Sequence, residues 1–159
     1  MRYTPVAEQI GISKARYLEL LHFCRQYDDW RREANSLLGI SAIRMDGMPH
    51  GTGKSDPVAR AAERRERLLA KMAIVEGCAK SPGSGEWCKA LIDNVCRKVP
   101  YKDLKKEQLP TSDANTFYRR RREFFDMLNK VTDPPNGKWK ILMLDATVAS
   151  AIQIAQKAS

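Results

Sequence analysis

The sequence lacks the features that mark membrane and secreted proteins. No apolar run approaches the roughly 20 residues that a helix needs to span a bilayer. The N-terminal stretch MRYTPVAEQIGI does not contain the apolar segment of a secretory signal peptide. We therefore expect a cytoplasmic protein with no membrane partner.

Metal-site motifs are missing as well. Neither histidine, His22 or His50, lies near a second ligand, and no two cysteines form a C-x-x-C pair. Because a zinc site needs about four nitrogen or sulfur ligands in paired spacings, we expect no metal and no cofactor. The cysteines are expected to act as small apolar residues in a reducing compartment: Cys24, Cys78, Cys88 and Cys96.

Patterns that indicate an enzyme are equally scarce. No Ser/His/Asp or Cys/His set is discernible from the spacing, and the carboxylates are scattered among basic neighbours at helical intervals. Carboxylates in that arrangement usually form surface ion pairs. We therefore do not expect an enzyme.

The sequence does have an excess of positive charge. It contains 28 Lys and Arg residues against 19 Asp and Glu, a net charge of +9 over 159 residues. This balance favours a polyanionic partner, with nucleic acid ahead of an anionic membrane surface. Hydrophobic residues make up 43% of the chain, enough for the core of one domain or two small ones.

The hydrophobic pattern is helical nearly throughout. It predicts a first helix from a cap at Ser13 to about Leu38, ended by Gly39, and a second helix that starts at Asp56-Pro57. Their matching apolar seams predict an antiparallel hairpin. The seam residues are Leu20, Phe23, Tyr27, Trp30, Ala34 and Leu37 in the first helix and Val58, Ala61, Leu68, Met72, Val75 and Ala79 in the second.

The stretch SPGSGE, residues 81–86, is a break in composition and the best domain boundary. After it the pattern predicts a helix from Trp87 to Val99, a short helix over YKDLKKE, and a longer helix capped by Ser112 or Asp113. We predict an all-α fold with an N-terminal long helical hairpin over 1–80, a helix-turn-helix DNA-binding domain over 86–131 and a short C-terminal extension over 132–159. The first part of the extension is ambiguous between strand and helix, and its second part favours a helix.

The stretch GMPHGTGKSDP, from Gly47 to Pro57, raises the question of a nucleotide site. A phosphate-binding P-loop reads G-x-x-x-x-G-K-[ST], so its first glycine would have to replace Met48. A P-loop also follows a buried strand in a parallel sheet, and the sequence has no β-α-β pattern. We interpret the stretch as a turn between two helices, in which the glycines allow positive φ.

The segment from Val99 to Lys130 is the most informative. It reads as helix, turn, helix, and its second helix carries four consecutive arginines, Arg119 to Arg122. Since consecutive positions on a helix lie about 100° apart, the four cannot share one face. Arg121 is expected along the buried stripe, and the other three point outward or flank it. The stripe is predicted to contain Ala114, Phe117, Phe124 and Leu128, helped by Tyr118 and Phe125.

Small polar residues at a helix start, followed by arginines, suit insertion into the major groove of DNA. The first group would meet base edges, the second phosphates or guanine, and lysines on the preceding short helix would lie near the DNA backbone. The alternative is a solvated basic helix without a ligand. The expected DNA-binding residues are Lys102, Lys105, Lys106, Thr111, Ser112, Asn115, Thr116, Arg119, Arg120 and Arg122.

Two blocks, GMPHGTGKSDPVARAA and VPYKDL…LPTSDANTFYRRRREFF, resemble phage-encoded transcriptional activators of the RinA/ArpU kind, which carry a sigma-factor-like helix-turn-helix. The likeness covers roughly Tyr17 to Leu128. It implies sequence-specific binding to double-stranded DNA and regulation of phage or prophage genes in a bacterial host cell, with RNA polymerase as a further partner.

Two other functions stay open at this point. A small terminase subunit for DNA packaging also combines a helix-turn-helix with helical oligomerisation elements. A protein-binding inhibitor from a mobile element would use the seam of the hairpin as its interface. Because helix-turn-helix proteins often dimerise to read two half-sites, a homodimer is one of the open arrangements.

Overall fold

The computed structural model describes residues 5–42, 56–81 and 85–132, and this part of the chain contains helices joined by turns and no strand. The predicted all-α class is confirmed for this part of the chain. The Gly47–Gly53 loop, His50 and the extension beyond Thr132 lie outside the described residues. The helices are α1 (Val6–Gln9), α2 (Lys14–Arg25), α3 (Tyr27–Ala42), α4 (Pro57–Lys80), α5 (Cys88–Val95) and α6 (Ala114–Thr132).

Side-chain caps fix the starts of three of these helices. Ser13 Oγ accepts the backbone N–H of Arg16 at 3.1 Å, and Asp56 accepts that of Val58 at 2.9 Å ahead of Pro57. Asp113 accepts the backbone N–H groups of Asn115 and Thr116, each at 3.1 Å. The predicted starts are therefore confirmed, because each cap satisfies helix donors that would otherwise lack a partner.

The predicted first helix consists of two helices in the structure. They are separated by Gln26, whose backbone N–H donates to the carbonyl of Phe23 at 3.3 Å and tightens the last turn of α2. The prediction that Gly39 ends the second of them is wrong, because α3 continues to Ala42. Glycine stops a helix by turning left-handed, and Gly39 does not have positive φ.

α3 and α4 pack side by side in opposite directions. The Tyr27 hydroxyl at the start of α3 donates to Glu76 Oε1 near the end of α4 at 2.5 Å, and Glu33 pairs with Arg64 closer to the start of α4. Burial and the hydrogen bond to Glu76 raise the pKa of Tyr27. The predicted seam is buried at Leu20, Tyr27, Trp30, Ala34, Leu68, Val75 and Ala79, half-buried at Phe23, Leu37, Ala61 and Met72, and 38% exposed at Val58.

One hydrophobic cluster contains side chains from α2 through α6. α6 packs on α4 and on α2, where the rings of Tyr17 and Phe125 lie 4.9 Å apart. Arg16 joins the same two helices, because its guanidinium donates to Asn129 at 3.0 Å and to Thr132 at 2.8 Å. The core is thus shared by both predicted segments, and the division of the chain into domains stays a prediction.

The connection between α5 and α6 differs from the prediction. α5 ends at Val95 rather than at Pro100, and Lys98 then adopts a left-handed backbone with φ 61°. The short helix predicted over YKDLKKE is replaced by two 3₁₀ turns, Tyr101–Asp103 and Lys106–Gln108. The backbone is extended at Leu104, whose side chain is buried in the core with 7% of its surface exposed. Packing of this one apolar residue therefore interrupts the local helical pattern.

No helix in the described ranges is both long enough and apolar enough to cross a membrane.

Candidate nucleic-acid interface

The buried side of α6 determines which residues of this helix face solvent. Phe117, Phe124, Phe125 and Leu128 are fully enclosed, with 0 or 1% of their surface exposed. Tyr118 was predicted to help this stripe, and that prediction is wrong, because its side chain is 46% exposed. Tyr118 lies on the same side of the helix as Phe125, seven residues later, but near the start of α6, where its ring contacts those of Tyr101 and Phe117 and stays partly in solvent.

The four arginines of α6 differ in their surroundings. Arg119 is exposed and forms no ion pair within the described residues. Arg120 is half-buried and pairs with Glu123 at 2.9 Å, and its Nε is buried without a partner. Arg122 is half-buried and shares a shallow cavity with α1. Of the four, Arg119 is therefore the one that is exposed and has no hydrogen-bond or ion-pair partner among the described residues.

Arg121 points inward, as predicted. Its Nε donates to Asn94 Oδ1 on α5 at 2.9 Å, and its guanidinium lies 5.1 Å from the ring of Phe125. The hydrogen bond compensates the partial burial of the charge, and the ring adds a favourable cation–π contact. This arginine holds α5 against α6 and takes no part in the outer face.

The first turn of α6 is organised around Asp113. The hydroxyl of Thr116 donates to its carboxylate at 2.6 Å, and this bond, with the N–H groups of Asn115 and Thr116, lowers the pKa of Asp113. Asp113 is therefore charged at neutral pH, and a negative charge stands at the tip of α6. This charge repels a phosphate, so the tip of α6 is not suited to bind the DNA backbone. The side chain of Asn115 lies farther along the exposed face and is better placed to contact a base.

The remaining predicted residues lie before α6. The side chains of Lys102, Lys105, Lys106, Thr111 and Ser112 are all exposed. The first of the 3₁₀ turns is fixed against α6, because the Tyr101 hydroxyl donates to the carbonyl of Ser112 at 2.9 Å. The Tyr101 ring also lies 5.1 Å from the ring of Phe117. The structure therefore brings the turn that carries Lys102 to the start of α6.

Lys98 is a basic residue that the sequence did not single out. It is exposed and follows α5, in the stretch of residues 96–106 that contains five Lys or Arg residues and one Asp. The sequence holds a signal that could have placed it outside the helix, because proline commonly follows a helix end by one or two residues and Pro100 stands there.

A network beside Lys98 neutralises the neighbouring arginine. Arg97 pairs with Asp28 of α3 at 3.0 Å and with Asp93 of α5 at 2.5 Å. The hydrogen bond from Arg97 lowers the pKa of Asp28. Asp93 also accepts the side-chain amide of Gln108 at 3.1 Å, so that the second 3₁₀ turn is tied to α5.

The described ranges contain no group of three His, Cys, Asp or Glu side chains that is placed to hold a metal ion. Comparison with protein-family models, with curated proteins and with solved structures finds no match to this chain.

Proposed function

We propose that the protein is a sequence-specific regulator of transcription that binds double-stranded DNA and acts on phage or prophage genes. In this proposal α3 and α4 form the predicted N-terminal hairpin. α5, the two 3₁₀ turns and α6 form a helix-turn-helix arrangement, and α6 enters the major groove. The resemblance to phage activators of the RinA/ArpU kind supports the regulatory role.

The observation that carries the proposal is the free guanidinium of Arg119 on the outer face of α6. The buried aromatic face points this side chain away from the core, and Asn115 lies one helical turn before it. An arginine suits guanine and an asparagine suits adenine, and both offer two hydrogen bonds to a base edge in the major groove. The exposed lysines of the turns provide the charge that attracts phosphates.

The roles of the other predicted residues follow from their contacts. Thr116 is held by Asp113, and Arg120 by Glu123, so both would have to release these partners before they bind DNA. Arg122 is half-buried beside α1, so less of its side chain is exposed than that of Arg119. We therefore assign base contact to Asn115 and Arg119 and backbone contact to Lys102, Lys105 and Lys106. Thr111 and Ser112, beside the Asp113 carboxylate, keep the predicted role of meeting base edges.

Selection of bound sequences from random duplexes, followed by affinity measurement, tests the proposal. We expect a consensus site, and Arg119→Ala should weaken binding to that site by about tenfold, the loss that a bidentate guanine contact predicts. The matched control is Arg32→Ala on α3, which removes the same charge from a side chain that is 78% exposed. Equal losses in the two variants would overturn the assignment of α6.

Light scattering and the same selection experiment also test the two alternative functions. A ring of many copies in light scattering would favour a terminase subunit, and a monomer or dimer would not. Selection without a consensus would favour a protein-binding inhibitor. The seam proposed as the interface of that inhibitor is, however, packed inside the chain along most of α3 and α4.

A further inference from the structure

The basic connection, residues 96–109, is the segment between α5 and α6, and it carries five Lys or Arg residues against Asp103 and Glu107. Lys98, Lys102, Lys105 and Lys106 are all exposed, and none forms an ion pair with another described residue. By contrast, Arg97 forms ion pairs with Asp28 and Asp93. The four lysines are therefore the positive charges in this segment that are available to an anion.

Hydrogen bonds fix the basic connection to the helices on either side of it. At its start, the backbone N–H of Val99 donates to the carbonyl of Asp93 at 3.0 Å, and its carbonyl accepts the amide of Asn94 at 2.9 Å. Farther along, Gln108 bonds to Asp93 and Tyr101 bonds to Ser112. The lysines thus stand on an ordered backbone, which lowers the entropy lost when a ligand binds.

Lys98 occupies a backbone position that glycine normally fills. The backbone N–H of Val99 donates to the carbonyl of Asp93, six positions earlier in the chain, and the residue before this donor is the left-handed one, a conformation that glycine usually provides at the end of a helix. A side chain with a Cβ is strained at φ 61°. Glycine would close α5 without that strain, so the lysine does not serve the turn itself.

We propose that Lys98 binds a phosphate of the DNA backbone and that the basic connection is a preordered phosphate-binding surface beside α6. This inference rests on the proposed function and deepens it. Asn94 links this end of the segment to α6, because it accepts from Arg121 and donates to the carbonyl of Val99, the neighbour of Lys98. In the proposal the ammonium group of Lys98 reaches a phosphate while α6 lies in the groove. Lys102, Lys105 and Lys106 extend the same surface.

Two substitutions of Lys98 and one control separate the effect of its charge from the effect of its backbone strain. Lys98→Ala and Lys98→Gly both remove the ammonium group, whereas only the glycine relieves the left-handed backbone. The control, Lys14→Ala, removes an exposed lysine from the start of α2. Arg16 places that end of α2 against the far end of α6, away from the basic connection.

Binding to the selected duplex is measured from 50 to 300 mM salt, and thermal unfolding is measured alongside. We expect both Lys98 variants to lose about fivefold or more in affinity and to reduce the slope of log K against log salt by about 0.9, the value for one phosphate contact. Lys98→Gly should also unfold at a higher temperature than the wild type. Lys14→Ala should leave the salt slope unchanged.

The outcomes distinguish this inference from the proposed function. If the wild type selects no consensus, the proposed function fails. If it does, and Arg119→Ala weakens binding while both Lys98 variants keep the wild-type slope, only the assignment of Lys98 fails. A loss of affinity in Lys98→Gly but not in Lys98→Ala would show that backbone conformation matters rather than charge, and would overturn the phosphate contact. If the Lys98 variants lose as much affinity for single-stranded RNA of the same length as they lose for the duplex, RNA becomes the better ligand.

Discussion

Truncation of Phe117 should destabilise the protein far more than truncation of its neighbour Tyr118. Phe117 is fully enclosed, and its ring lies 5.1 Å from that of Tyr101 and 6.3 Å from that of Trp87. Replacement of a buried phenylalanine by alanine removes the transfer free energy of the ring and leaves a cavity, at a cost of about 3–5 kcal/mol. In a protein of this size each kcal/mol shifts the unfolding temperature by about 2–4 °C, so Phe117→Ala should lower it by about 6–20 °C.

Tyr118→Ala is the matched comparison, because it removes a ring of similar size from the next position. That side chain is 46% exposed, so its removal leaves no closed cavity, and we expect a cost of about 1 kcal/mol. Thermal unfolding followed by far-ultraviolet circular dichroism, with urea unfolding as a second measure, provides both values. If Tyr118→Ala costs as much as Phe117→Ala, α6 is rotated from the orientation described above, and Arg119 loses its place on the outer face.

Two further predictions concern protonation and thiol reactivity. Because Arg97 lowers the pKa of Asp28 from its ordinary value of 3.8, this carboxylate stabilises the folded state above that pH and loses its effect as the pH falls through the folded pKa. Asp28→Asn should therefore be less stable than the wild type at pH 7, and the difference in urea midpoint should shrink below pH 4; a difference that stays the same from pH 7 down to the acid limit of the folded state would contradict the pairing. Burial raises the pKa of Cys78 to about 12, and Cys24 and Cys96 are also buried. An aromatic disulfide reagent should therefore modify only Cys88 in the native protein and should modify the other three cysteines after unfolding. Rapid modification of two or more thiols in the native state would show that the core opens readily.

The helix starts could be predicted because their signals are local. Ser13, Asp56 and Asp113 each bond to backbone N–H groups two or three residues away, so the short stretch of sequence contains both donor and acceptor. The seam of α3 and α4 was equally accessible, since apolar residues at steps of three and four define one face of a helix. The inward position of Arg121 followed from the same geometry.

The elements that the sequence did not predict depend on distant contacts. The basic connection reads as helical by periodicity, but burial of Leu104 and the bond from Tyr101 to Ser112 require an extended backbone there. α5 ends early because Lys98 turns left-handed, which propensity disfavours for lysine. Likewise the pairing of Arg120 with Glu123, and the position of Arg122 beside α1, determine which arginines are free.

Assignment of the proposed interface was partly possible. The sequence identified α6 and the polar residues around its start, and the structure places Asn115 and Arg119 on its solvent side. It could not rank the four arginines, because that ranking depends on which carboxylates and which helices lie beside each one. Lys98 was missed for the same reason, since its exposure depends on the backbone turn that follows α5.

The link between Arg16 and the end of α6 has a consequence for biosynthesis. Its two hydrogen bonds connect residues that are 113 and 116 positions apart in the chain. The end of α2 is synthesised more than a hundred residues before the end of α6, the helix that covers Tyr17. The nascent chain therefore carries an uncovered apolar surface until α6 has emerged, and a ribosome that stops before α6 releases a fragment prone to aggregation and proteolysis.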